Sequence, residues 1–196
     1  MKPHLLIFLI ALSVFYSCGE RLPVGKKISG TNYSFTNQDS LSVKLDSVIQ
    51  NKVTLFGFIY THCPDICPMT THNLYLTWKK LVENNITEVQ FILVTFDPER
   101  DTPSTLKNFG RVRDIDFGDW NLLTGDTKTV NQFNRMMGIK AIPDDSTYND
   151  DGELSYYVIH TDRITLVDKQ GRIRAEYKGS TVDPQIIFED VKYLGE

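Results

Sequence analysis

The stretch Phe58-Ile59-Tyr60-Thr61-His62-Cys63-Pro64-Asp65-Ile66-Cys67-Pro68 decides the fold of this chain. It overlaps the end of the run 53–60, whose β-branched and aromatic residues predict a buried strand. It precedes residues 73–82, where apolar residues recur at the spacing of one helix face. Proline is tolerated in the first turn of a helix, so Pro68 predicts that the helix begins near Cys67. A cysteine pair therefore lies at the first predicted junction of buried strand and helix.

Segments on both sides of this motif alternate between strand and helix patterns. On the N-terminal side, residues 33–35 and 41–43 flank a polar stretch and predict a β-hairpin. On the C-terminal side, the patterns predict strands at 88–96, 121–123, 164–167 and 173–177, and helices at 102–113, 126–137 and from 183 onward. Residues 144–155 are acidic and without periodicity, which predicts a loop. The order predicts an α/β fold, a mixed sheet flanked by helices with an N-terminal β-hairpin extension. The cysteine pair at the first junction of strand and helix resembles the thioredoxin arrangement, so we predict a thioredoxin-like sheet.

The first 17 residues differ in kind from the rest. Lys2 precedes an apolar run, residues 5–15, which is shorter than the about 20 residues of a spanning helix and predicts a secretory signal peptide. The pair Ser17-Cys18 favours a lipoprotein cleavage site with an acylated Cys18. An uncleaved anchor, or an ordinary signal peptide with an incidental cysteine, is the alternative. We predict a signal peptide over 1–17, a lipid-anchored tether over 18–32 and a domain over 33–196. This domain would face the periplasm from a bacterial cell membrane.

Length and charge limit the function classes. The chain has 196 residues, of which 41% are apolar, and this suits one domain with a proper core. Acidic residues outnumber basic ones, 25 to 21, and the net charge is −4. Lysine and arginine form no cluster, whereas neutralising phosphates needs concentrated positive charge. We therefore expect no nucleic-acid partner.

The spacing of Cys63 and Cys67 indicates local chemistry rather than a structural staple. Both thiols lie near a predicted helix N-terminus, whose partial positive charge favours thiolate and lowers the thiol pKa. Three residues separate the cysteines, whereas thioredoxin-type reductases have two. The wider loop can still close a disulfide, but it also lets both sulfurs bind one ion. Soft thiolates select Cu(I), zinc or iron–sulfur clusters, and a structural zinc or a usual cluster needs four ligands. An open site of two cysteines and one histidine suits copper.

The chain offers four histidines as the third ligand. His4 lies in the predicted signal peptide. His62 adjoins a cysteine, so along a strand its side chain points to the opposite face. His72 lies about 140° around the helix from the motif. His160 remains, because in thioredoxin folds the loop before the strand at 164–167 passes over the cysteine motif.

The residues resemble the Sco/SenC family of copper chaperones for the CuA centre of cytochrome c oxidase. The resemblance rests on the cysteine motif, on Val94-Thr95-Phe96-Asp97-Pro98-Glu99-Arg100-Asp101-Thr102-Pro103 and on His160-Thr161. It covers roughly residues 31–194. It implies that Cys63, Cys67 and His160 bind the copper ion, and that the domain is tethered and faces outward. Family members usually have an aspartate where this chain has Ile159, which would alter how the imidazole is oriented.

Three function classes stay open at this point. The first is a metallochaperone that delivers copper to the CuA-bearing oxidase subunit or prepares its thiols, served by a thiol reductant or another copper carrier. The second is a membrane-tethered thiol–disulfide oxidoreductase without obligatory copper, which would need only Cys63 and Cys67 as its redox-active pair. The third is a peroxidase or redox sensor with one reactive cysteine, which the lack of a matching catalytic environment disfavours.

Other polar and thioether groups near the motif have simpler interpretations. Asp97, Glu99, Arg100 and Asp101 predict a solvated loop in which the arginine pairs locally rather than a catalytic group. We predict Met69 as a core residue rather than a ligand. Asp65 lies between the cysteines and would either accept backbone hydrogen bonds or meet a partner.

Overall fold

The computed structural model describes residues 21–64, 66–148 and 154–195. The predicted signal peptide, Cys18 and Asp65 lie outside these residues. The described strands are β1 (Ser34–Asn37), β2 (Ser42–Lys44), β3 (Val53–Ile59), β4 (Val89–Thr95), β5 (Trp120–Thr124), β6 (Ala141–Tyr148), β7 (Leu154–His160), β8 (Ile164–Val167) and β9 (Ile173–Tyr177). The described helices are α1 (Leu45–Ile49), α2 (Ile66–Glu83), α3 (Pro103–Arg111), α4 (Thr127–Met136) and α5 (Pro184–Gly195).

Seven strands form one mixed sheet in the order β2-β1-β5-β4-β3-β8-β9. The central strands β3, β4 and β5 run parallel, whereas β8 is antiparallel to β3 and β9 to β8. Every residue of β3 and β4 is buried, as expected for strands covered on both faces. Ile59 at the end of β3 lies opposite Thr95 at the end of β4. The segments that follow these two strands therefore meet at one edge of the sheet.

Helices cover both faces of this sheet. Phe56 and Gly57 are successive residues of β3 and face opposite sides. A Cβ added at Gly57 would lie 2.8 Å from Cδ1 of Leu74, so glycine lets α2 approach the sheet closely. On the other face, the rings of Phe56 and Phe133 from α4 have centroids 5.9 Å apart. The predicted thioredoxin-like mixed sheet flanked by helices is confirmed.

The predicted N-terminal hairpin and the predicted helix ends are present in the structure. The N-terminal hairpin is present as β1 and β2, with Ser34 opposite Lys44. The side chain of Thr102 accepts a hydrogen bond from the Thr105 N–H at 3.2 Å and caps α3. Gly138 follows α4 with φ of 72°, a conformation in which glycine carries no steric penalty.

The described residues before β1 pack against the domain. Leu22 and Ile28 are buried, and the Gly25 N–H donates to the Ile173 carbonyl at 2.8 Å. The predicted tether over 18–32 therefore overlaps packed chain from residue 21, and the domain's contacts begin before the predicted boundary at residue 33. None of the helices within the described ranges has the length and apolar character needed to cross a membrane.

The prediction of a loop over 144–155 is wrong for residues 144–148 and 154–155, which are strand, whereas residues 149–153 lie outside the described residues. Strands β6 and β7 pair antiparallel, with Ala141 opposite His160 and Tyr148 opposite Leu154. They form a separate two-stranded sheet. The sequence did not predict β6 because its acidic residues resemble those of a loop. Its pairing with the aromatic and β-branched run of β7 is a contact between two strands, and periodicity along one strand does not report such a contact.

Candidate metal centre

The cysteine pair lies at the buried junction of β3 and α2. Cys67 is fully buried in the first turn of α2, and Cys63 is 8% exposed. Both are thiols rather than a disulfide. The Cys67 N–H donates to the Cys63 sulfur at 3.4 Å, and the Tyr60 N–H donates to the Cys67 sulfur at 3.5 Å. One backbone amide just after β3 and one in the first turn of α2 thus donate to the two sulfurs, and such donors favour thiolate charge.

His160 reaches this pair because of the sheet topology. β8 is antiparallel to β3 and begins at Ile164 opposite Gly57, so the chain entering β8 passes the carboxyl end of β3. His160 ends β7 just before that point, and its Nε2 lies 4.0 Å from the Cys63 sulfur and 3.6 Å from the Cys67 sulfur. Cys67 and His160 are 93 residues apart in the chain.

The imidazole of His160 is held by its surroundings. Its ring packs against Phe96 and Tyr60, with centroids 4.6 and 6.0 Å away. Its Nδ1 lies 3.1 Å from the Thr161 carbonyl oxygen. A carbonyl only accepts, so Nδ1 carries the hydrogen and Nε2 presents its lone pair to the sulfurs. The Thr161 carbonyl therefore orients the imidazole, which is the role that a carboxylate at position 159 would otherwise take. The side chain of Ile159 itself is 63% exposed.

The spacing of the three groups fits one metal ion. Their ligand atoms all lie within 4.8 Å of one another. Sulfur and nitrogen ligands about 2.0–2.3 Å from a metal, at angles of about 110–120°, are about 3.6–3.8 Å apart. The distances from Nε2 to the two sulfurs match this separation with small adjustments. Among the described histidine, cysteine and carboxylate side chains no fourth joins the cluster, so a closed four-ligand zinc site finds no support.

The predicted lowering of both thiol pKa values does not hold for Cys67. A hydrogen bond with the Cys63 sulfur, burial and the nearness of Cys63 raise the pKa of Cys67, and the Tyr60 N–H only partly opposes them. The prediction considered the helix terminus alone and left out the second sulfur. For His160, burial lowers the pKa, but the contacts with Cys63 and the Thr161 carbonyl outweigh it and raise the pKa. A cation at this site would replace protons and reverse the repulsion between the sulfurs.

The other residues that the sequence offered as possible metal ligands lie outside the cluster or are exposed to solvent. His62 is exposed and contacts the Thr61 hydroxyl at 3.1 Å, and His72 is exposed on α2. Neither joins the group of ligand atoms. Met69 is 45% exposed, so its assignment to the core is wrong.

The charged segment after β4 is not the solvated loop that was predicted. Asp97 is 6% exposed and Asp101 is fully buried, although Arg100 does pair locally with Asp97 as predicted. Asp101 accepts hydrogen bonds from the Thr61 backbone and hydroxyl and from the Thr95 hydroxyl. Burial raises the pKa of Asp101 despite these donors. This carboxyl therefore joins the end of β4 to the turn just before Cys63.

Sequence reasoning missed these carboxyl groups and the aromatic residues around His160. One signal was available, because charged residues that directly follow a largely apolar strand such as β4 still lie at the buried end of the sheet. Tyr156 was missed too, although the run Tyr156-Tyr157-Val158-Ile159 is a strand pattern that ends at His160.

Known proteins are similar to this chain in sequence and in fold. The family model described as SCO1/SenC matches residues 23–195. The SCO1 protein homolog of Bacillus subtilis is 34% identical over 161 residues, which are 82% of this chain and 79% of that protein. Several other curated relatives are longer, and the matched stretch spans 57% and 40% of two of them.

Two solved structures are similar over most of the chain. Bradyrhizobium japonicum ScoI with copper bound has a TM-score of 0.65 at 27% identity, covering 88% of this chain and 99% of that one. BsSco, a member of the Sco family of cytochrome c oxidase assembly proteins in which a disulfide switch was identified, has a TM-score of 0.67 at 32% identity, covering 87% and 96%. With the family model matching almost the whole described chain, this protein belongs to the SCO1/SenC family.

Proposed function

We propose that this protein is a copper chaperone of cytochrome c oxidase assembly that binds copper through Cys63, Cys67 and His160. The observation that carries the proposal is the convergence of two thiols and one imidazole nitrogen within 4.8 Å. ScoI, similar in fold and sequence, holds copper, and BsSco belongs to a family of oxidase assembly proteins. A three-ligand site leaves copper open to an incoming ligand, which suits an ion that must leave again. The proposed recipient of the copper is the CuA-bearing oxidase subunit.

A second activity, thiol–disulfide exchange, is favoured by the same cysteine pair. Cys63 and Cys67 are four positions apart, and backbone amides are directed at both sulfurs. In this activity the pair would give two electrons and two protons to a disulfide of the oxidase subunit. The subunit would gain two thiols, and the pair would become a disulfide. That step would prepare the CuA cysteines for copper without copper passing through this protein.

A transfer experiment separates the two activities. The copper-loaded, reduced protein would be mixed with a copper-free soluble CuA domain whose cysteines are reduced, and formation of the CuA electronic spectrum would be followed. In a second arm, the copper-free reduced protein would be mixed with the same domain carrying a disulfide, and new thiols would be counted. We expect transfer in the first arm and at least partial reduction in the second.

The His160→Ala variant is the control for both arms. Thiolate attack needs only the cysteine pair, so this variant should still reduce the disulfide at a similar rate. It should fail to form the CuA spectrum at the wild-type rate and yield, because it lacks one copper ligand. Reduction without any transfer by the wild-type protein would make the oxidoreductase the correct function.

We further propose that Cys18 carries lipid and holds the domain at the periplasmic face of a bacterial membrane, where the oxidase subunit and a thiol reductant or another copper carrier would meet it. The proposal is supported by the short apolar run at residues 5–15 and by the pair Ser17-Cys18 shortly after it. Mass spectrometry of the mature protein should find a diacylglyceryl-modified Cys18 as its N-terminus. An intact Met1, or a mature start elsewhere, would contradict the anchor and leave the copper site unaffected.

A further inference from the structure

The hairpin that carries His160 forms a sheet of its own. Among the described strands, β6 and β7 pair only with each other, whereas the cysteine motif follows β3 of the seven-stranded sheet. At the base of the hairpin, the Thr161 N–H donates to the Lys140 carbonyl at 2.9 Å. An isolated two-stranded hairpin is marginally stable in water. The distance between His160 and the two sulfurs therefore depends on side chains that join the hairpin to the domain.

These side chains all lie on one face of β7. Side chains alternate along a strand, so Tyr156, Val158 and His160 share the inner face, and Tyr157 and Ile159 share the outer one. Tyr157 and Ile159 are 61% and 63% exposed. The inner residues meet the domain: the Tyr156 hydroxyl donates to Asp97 Oδ1 at 2.8 Å, and the Val158 N–H lies 3.4 Å from the hydroxyl oxygen of Tyr60.

The contact at Tyr156 is the strongest of this set. Asp97 is almost fully buried and forms an ion pair with Arg100 through its other oxygen. The guanidinium carbon of Arg100 lies 3.5 Å from the centroid of the Tyr156 ring, a cation–π contact. Burial and the hydrogen bond to Asp97 raise the pKa of Tyr156 to about 12, so its hydroxyl remains a donor. A hydrogen bond to a charged group contributes more than one between neutral groups.

The acceptor side of this contact is fixed to the main sheet. The Asp97 N–H donates to the Thr95 hydroxyl oxygen at 2.9 Å, and the same hydroxyl donates to the buried Asp101. Asp101 in turn binds the Thr61 backbone two residues before Cys63. One chain of hydrogen bonds therefore runs from the turn that carries the cysteines, through the end of β4, to the strand that carries the histidine.

We propose that Tyr156, bound by Asp97 and Arg100, is the positioning residue that holds His160 at the copper site. We call this set the Tyr156 anchor. Tyr156 is four residues from His160 in the same strand, about 13 Å along it, so it acts through the strand and does not touch copper. The inference rests on the proposed copper site and adds a residue that sets the affinity of that site. When the anchor is lost, the hairpin samples positions in which only the two thiols face the ion, and the apparent affinity falls with the fraction of competent protein.

The test compares two tyrosines one residue apart. Tyr156→Phe keeps the ring and its contact with Arg100 but removes the hydroxyl that binds Asp97. Tyr157→Phe makes the same chemical change on the outer face and is the matched control. We expect Tyr156→Phe to bind Cu(II) about tenfold more weakly, with a changed EPR spectrum from partial loss of the imidazole nitrogen, and Tyr157→Phe to match the wild type. Asp97→Asn, which removes the charge of the acceptor, should resemble Tyr156→Phe.

Two further measurements separate positioning of His160 from general destabilisation. In a His160→Ala background, adding Tyr156→Phe should leave copper affinity unchanged, because the anchor acts through the missing imidazole. In the copper-free single variant, backbone amides of β6 and β7 should exchange hydrogen faster, while those of β3 and β4 keep their protection. Equal affinity losses with and without His160, or wild-type affinity in Tyr156→Phe, would overturn the anchor. If the wild type itself binds no copper, the proposed function fails instead, and that result is seen before any variant is compared.

Discussion

Replacing His160 with alanine is expected to weaken Cu(II) binding by at least about 100-fold while Cu(I) stays bound with reduced affinity. Loss of groups that merely orient a ligand costs about 10–100-fold in metal affinity, so loss of a ligand itself should cost no less. Cu(II) prefers nitrogen ligands in a tetragonal arrangement, and His160 is the single nitrogen in the cluster of ligand atoms. Two thiolates can still hold Cu(I) linearly. The two oxidation states should therefore respond differently to one substitution.

Competition titrations with chelators of known affinity for each oxidation state would measure this difference. The matched controls are His62→Ala and His72→Ala, which remove exposed imidazoles outside the cluster. Both controls should bind copper as the wild type does. Unchanged affinity of His160→Ala for both oxidation states would show that the imidazole is not a ligand. The site would then be a dithiol, and thiol exchange would become the better function.

Oxidation of Cys63 and Cys67 to a disulfide is expected to abolish copper binding, and reduction should restore it fully. Copper needs thiolates, and a disulfide offers none. The structure holds the reduced pair close together, because both sulfurs belong to a group of ligand atoms that lie within 4.8 Å of one another. Thiol counting with and without reductant, followed by copper analysis of the desalted protein, would establish both states.

The Cys63→Ser variant is the control for this second experiment. It has one thiol at the site and cannot close the internal disulfide, so a mild oxidant should leave its residual copper binding unchanged. In the wild type the same oxidant should remove copper. Copper retained equally by the oxidised and reduced wild-type protein would contradict control of the site by redox state.

Much of the fold was predictable because the central elements carry their signals locally. The strands at 164–167 and 173–177 agree with β8 and β9 at both ends, since the strand patterns there are separated by the turn residues 168–171. Thr102 and Gly138 marked the helix ends by their capping chemistry. The five-residue α1 was not predicted because it is too short to show helical periodicity. The hairpin of β6 and β7 was not predicted because its acidic composition matches that of loops.

The site was predictable to the extent that topology determines it. His160 followed from where the chain must pass before β8, which is a property of the thioredoxin arrangement rather than of the histidine. The buried state of Asp97 and Asp101 and the raised pKa of Cys67 depend on neighbours 6 to 59 residues away or on a second sulfur. Such contacts leave no periodic trace in the sequence. For the same reason Tyr156 could be recognised as part of a strand but not as a partner of Asp97.

The separation of the ligands along the chain has a consequence for how copper and the disulfide restrain the unfolded protein. A disulfide between Cys63 and Cys67 closes a very short loop, and the chain entropy that it removes is worth roughly 2 kcal/mol. If copper binds Cys67 and His160 as proposed, it would join residues 93 positions apart, and a cross-link of that length removes roughly 4 to 5 kcal/mol. Loading the site with copper would therefore close a loop over nearly half of the chain, whereas oxidising the cysteines would close a single turn. Copper, unlike the disulfide, would then link the hairpin of β6 and β7 directly to the cysteine motif.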